Sequence, residues 1–153
     1  MLKTGSVLLM VWSAVTFALA AAILTTVVVF NGDSPILPLV FDTAEIAALD
    51  PTVVGSLNTL TVLYNSCSAM VAVLTWTVIR RHLIHGERWA YWLLVAVIGF
   101  IEVMAFVASA QVDHARWQVN VVLTLLFLTG SAAAGLALIR NRPPATIPVP
   151  PRP

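Results

Sequence analysis

One carboxyl group, Glu102, stands in the apolar run VIGFIEVMAF (97–106), and no charged residue lies between it and Arg88. A carboxyl group in such a run can hold a proton, accept hydrogen bonds or serve as a general acid, and it needs polar partners in any of these roles. Candidate partners recur on another apolar stretch, where Asn58, Thr61, Asn65, Ser68, Ala72 and Thr75 follow one another at spacings of three and four. That spacing puts them on one face of a helix, with Tyr64 beside Asn65. A last apolar stretch brings Gln118, Asn120 and Thr124, and the glutamate's own stretch adds Ser109 and Gln111. The expected constellation is a polar pocket in the outer half of the membrane, of Glu102, Asn65, Thr61, Tyr64, Asn58, Asn120 and Thr124, able to hydrogen-bond an apolar or amphipathic ligand or a partner helix.

Catalysis asks for more than this. General acid–base chemistry needs a second titrating group close to the first, and the candidates near this level, Asp113 and His114, fall at the rim of the pocket. No catalytic residue is assigned. His82 and His85 share a short basic segment with Glu87, too few ligands for a metal centre, so neither metal nor cofactor is expected. A lone cysteine, Cys67, precludes an internal disulfide or a CxxC redox pair. Walker, GxSxG and HExxH patterns are absent.

What must position these residues is a set of membrane-spanning helices. The 153 residues are 59% hydrophobic and 10% charged, against about 25% charged in ordinary soluble domains. Eight bases and seven acids cannot cover the surface of a water-soluble domain this long. Four apolar stretches, near residues 6–30, 55–79, 89–110 and 119–139, are long enough to cross a hydrocarbon core of about 30 Å. The expected fold is all-α: a four-transmembrane-helix up-and-down bundle (1–141) with a short interfacial helix in the first outer loop. The short links RRHLIHGER and QVDHARWQ make sequential helices antiparallel neighbours. The first stretch is too long for the core of a signal peptide and reads as a retained helix.

Charge sets the orientation. Lys3, Arg80, Arg81, Arg88, Arg140, Arg142 and Arg152 fall on one side and only Arg116 on the other, which makes both termini cytoplasmic by the positive-inside rule. Trp76, Trp89, Tyr91 and Trp92 then form an aromatic belt at the inner interface, with Trp117 in that role outside. In the outer loop, Pro35 and Pro38 favour an extended path, and Asp42 with Glu45 three positions later reads as a capping box for a short helix that Pro51 ends. The tail, 142–153, is proline-rich and reads as a polyproline II segment. A net charge of +1 without a clustered basic face excludes nucleic acid as a partner.

At LIHGERWAYWLL (83–94) and in its helix layout the chain resembles small bacterial four-helix integral membrane proteins of unknown function. That resemblance implies an architecture and a bacterial inner (plasma) membrane, and no chemistry. The partners it leaves are the lipid bilayer, a second copy or a larger membrane complex, and an apolar or amphipathic ligand. The leading expectation is a non-enzymatic subunit or binding protein built around the Glu102 pocket. The alternative is a proton-coupled small transporter using Glu102, and the weaker one a lipid-modifying enzyme with Glu102 as general acid.

Overall fold

The computed structural model describes residues 2–35, 37–111 and 117–140. Helix α1 (Leu2–Leu24) runs on into a π-helical turn (Thr25–Val29), two short helices follow, α2 (Leu37–Val40) and α3 (Thr43–Ala48), and then come α4 (Pro51–Arg81), a 3₁₀ turn (Leu83–His85), α5 (Arg88–Gln111) and α6 (Trp117–Arg140). Among the described residues, four helices are long and apolar enough to cross a membrane. The result is an all-α bundle of four long apolar helices with short helices in the first loop. At about 1.5 Å per residue, the 31 residues of α4 span about 46 Å, well beyond a hydrocarbon core of about 30 Å, so α4 tilts or projects from it.

The helices bury little of themselves. Only 22% of the most apolar window of α1, α4 and α5, and 28% of that of α6, is buried within the bundle. Large apolar side chains such as Phe17, Leu63, Met70, Phe100 and Val122 point outward. In water so much apolar surface would drive aggregation, whereas hydrocarbon is its natural solvent. The interior holds one core of Leu9, Trp12, Ile79, Leu83, Ala90, Leu94, Ile98, Phe127 and Leu138.

Within the expected bundle, one pair of sequential helices packs less closely than its short link implies. The most extensive contacts are those of α1 with α4 and with α6, α5 packs on α6, and α4 and α5 meet only slightly. Two features account for this. The 3₁₀ turn carries the fully buried Leu83 and packs against α1 as well as α4 and α5, so it shares the space at this end of the α4–α5 seam. The buried residues of α1 include Gly5, Ser6, Ser13 and Ala20, small enough to admit helices on both its sides. A Cβ placed on Gly5 would lie 2.5 Å from the Ala134 amide nitrogen and 2.8 Å from the Gly130 carbonyl oxygen, so α1 and α6 meet backbone to backbone.

The first loop corrects two further expectations. Asp42 caps α3 with the reciprocal bonds of a capping box, as its spacing implies: its side chain accepts from the Ala44 and Glu45 amides while Glu45 Oε2 accepts from the Asp42 amide. But Pro51 starts a helix instead of ending one, standing at the first position of α4 behind the N-cap Asp50, where its missing N–H has no helical partner to lose. Pro38 lies inside the short α2, within its first turn, where a fixed φ fits helix as well as it fits extended chain. Asp113, His114 and Arg116, the side chains of Gln111 and Trp117, and the tail lie outside the described residues.

Candidate functional site

Glu102 sits on the buried face of α5 with 5% of its surface exposed. Its carboxyl group is held from two other helices. The indole Nε1–H of Trp12 on α1 donates to Oε1 at 2.7 Å, and the Thr124 hydroxyl on α6 lies 2.6 Å from Oε2. Each oxygen therefore has its own donor, and three helices meet at one acid. The helix order explains why: with α1 seated between α4 and α6, and α5 on α6, the carboxyl group faces α1 and α6.

The two bonds are chemically unequal. An indole nitrogen can only donate, so Oε1 must remain an acceptor. A hydroxyl can donate or accept, so a proton bound to Glu102 can reside on Oε2 and be donated to Thr124 without loss of either bond. The site satisfies the charged and the neutral acid with the same geometry.

Of the residues expected in the pocket, the structure brings Thr124 to Glu102 and places the others elsewhere. Asn65 is buried, but its amide donates to the Thr61 carbonyl one turn back on α4. Thr61 and Asn58 engage the first loop: Asn58 Oδ1 accepts from the Ser34 amide at 2.7 Å, and the Thr61 and Ser34 hydroxyls are 2.7 Å apart. Tyr64 points outward from α4. Asn120 donates to the Ala105 carbonyl at 3.2 Å, tying α6 to α5 a turn beyond Glu102. Ser109 is buried further along α5. The polar stripe of α4 thus forms a second polar centre that fastens the loop, distinct from the carboxyl clamp.

The partner missed from the sequence is Trp12. Its signal is present all the same: it lies ten residues after Leu2, inside an apolar span and away from the interfaces where tryptophans usually gather. A buried indole N–H needs an acceptor, and one carboxyl group exists at that depth.

A groove of about 310 Å³ runs between α1 and α4, lined by Ser13, Ala14, Phe17, Ala72, Val73, Trp76 and Thr77. Ser13 donates to the Ala72 carbonyl at its floor. Glu102 does not line it. At the basic end of the bundle His82 Nδ1 and Trp89 Nε1 converge on Glu87 Oε2 at 2.9 and 2.6 Å. The Trp89 bond above all holds the Glu87 carboxyl below its ordinary value of 4.5; burial opposes it, and the His82 bond and the charges of His82 and His85 add smaller pulls downward.

No family model matches the chain, and neither does any curated protein or solved structure, so the functional reading rests on this geometry.

Proposed function

We propose that this chain is a small, non-enzymatic multi-pass subunit or binding protein of a bacterial inner membrane, with both termini cytoplasmic, and that the polar centre at Glu102 is its recognition element. The observation that carries this reading is the pair of bonds from Trp12 and Thr124 to the two carboxyl oxygens. An ionised carboxylate has about four lone-pair sites, and this one uses two, so it retains acceptor capacity for up to two further donors. An amphipathic molecule or a partner helix that carries an N–H or O–H into the bilayer supplies such a donor. Hydrocarbon offers no competing water there, which gives a single polar contact its selectivity.

A second reading has its own support. Because Thr124 can reverse its bond, the site accommodates gain and loss of a proton without rearranging the helices, as a proton-coupled small transporter requires.

Infrared difference spectra of the carboxyl stretch in purified protein, compared with Glu102→Gln, separate the two. A band that shifts on adding an amphipathic amine or alcohol, with unchanged protonation, supports recognition. A band that appears and disappears across a pH jump supports proton coupling. A band indifferent to both leaves Glu102 a purely structural tie and sinks both readings.

A further inference from the structure

At the basic end, a cavity of about 190 Å³ lies between the first turns of α5 and the last turns of α6, lined by Arg88, Tyr91, Trp92, Gly135, Leu138 and Ile139. Its composition is graded. Arg88 is exposed at one edge, while Trp92 and Ile139, 66% and 61% exposed, carry apolar surface outward toward lipid. Gly135 shapes the floor: a Cβ there would lie 2.6 Å from the Tyr91 phenolic oxygen, so the missing side chain is what lets that hydroxyl reach α6. The Trp92 ring meets Tyr91 edge-on at 5.2 Å and holds it in place. Among the described residues neither the Arg88 guanidinium nor the Tyr91 hydroxyl has a hydrogen-bond or ion-pair partner.

Charge at this end is one-sided. Lys3, Arg80, Arg81, Arg88 and Arg140 gather there against a single described acid, Glu87, whose carboxylate is already taken by His82 and Trp89. A guanidinium and a phenol facing one small cavity match a phosphate, which a guanidinium binds through two parallel N–H donors. At about 30 Å³ per water the cavity holds about six waters' worth of volume, enough for a phosphate and part of a glycerol and far too little for acyl chains. The chains have a path regardless, over Trp92 and Ile139 into the bilayer.

We propose that this cavity seats the phosphate headgroup of an anionic phospholipid, with Arg88 and Tyr91 binding the phosphate and Trp92 and Ile139 lying against an acyl chain. The site is independent of Glu102. It commits to a lipid over free phosphate because its apolar wall continues onto the lipid-facing surface, which an inorganic ion cannot use.

The test counts lipid retained by the purified full-length protein in native mass spectrometry, titrating phosphatidylglycerol, phosphatidylcholine and, separately, sodium phosphate. Phosphatidylglycerol is expected to be retained over phosphatidylcholine, and R88Q to weaken it by about tenfold more than R80Q, a change at the same charged end outside the cavity. Y91F, which keeps the ring packed on Gly135, is expected to weaken it as well, and R88Q alters an exposed side chain that the fold does not need. Equal losses in R88Q and R80Q would mean a diffuse basic surface and would overturn the site. Equal retention of phosphatidylcholine, or full displacement of the lipid by sodium phosphate, would overturn it too.

Discussion

The indole of Trp12 reaches across 90 positions of sequence to bind Oε1 of Glu102, while Thr124 holds the other oxygen of the same carboxyl group. Interhelical hydrogen bonds in membranes average about 0.6 kcal/mol and reach about 1.7, and bonds to charged groups lie toward the upper end. Trp12→Phe, which removes the donor and keeps most of the ring, is therefore expected to cost about 1–2 kcal/mol, and Thr124→Val about 1 kcal/mol. Glu102→Gln is expected to cost less than either, since a glutamine oxygen still accepts from the indole and its nitrogen can donate to the hydroxyl. Equilibrium unfolding in mild detergent checks the order, and a Glu102→Gln loss as large as that of Trp12→Phe contradicts the assigned roles.

The close approach of α1 and α6 at Gly5 predicts a contrast between two glycines. Gly5→Ala forces backbone away from Ala134 and Gly130 and is expected to destabilise by about 1–3 kcal/mol. Gly55→Ala on α4 has nothing within 4 Å of the new methyl and is expected to stabilise by up to about 1 kcal/mol through helix propensity alone. Thermal melts of both variants decide it, and a neutral Gly5→Ala would refute backbone-to-backbone packing.

Asn58 fastens the first loop to α4 through the amide of the fully buried Ser34. Asn58→Ala leaves that amide without its acceptor, at a cost of about 1–3 kcal/mol confined to the loop. Hydrogen exchange is expected to accelerate at Ser34 and its neighbours while the centre of α4 keeps its protection. Unchanged protection at Ser34 would show that the anchor lies elsewhere.

Below the bundle's basic end, pH acts on Glu87. Its folded value is depressed, so its contribution to the hairpin is present above the ordinary value of 4.5 and is lost as pH falls through the lower, folded value. The Trp89 indole donates to that carboxylate, so Trp89 fluorescence is expected to change in the same acid window and the change to vanish in Glu87→Gln. A transition that persists in Glu87→Gln assigns it to another group.

Composition, run lengths and local chemistry were enough to determine the four apolar helices, the capping box at Asp42 and the need of Glu102 for polar partners, because each depends on residues within a turn or two of one another. The identity of those partners depends on which helices are neighbours, and that only the tertiary structure decided. In lipid the outer and inner faces of a helix have nearly the same composition, so hydropathy does not say which face meets which helix. The stripe Asn58, Thr61, Asn65 is therefore equally compatible with binding Glu102 and with its observed work of anchoring Ser34 and bonding its own backbone. Small residues along α1 and the buried Leu83 at the end of α4 settled the matter sterically, placing α1 between α4 and α6 and bringing Trp12, not Asn65, to the carboxyl group.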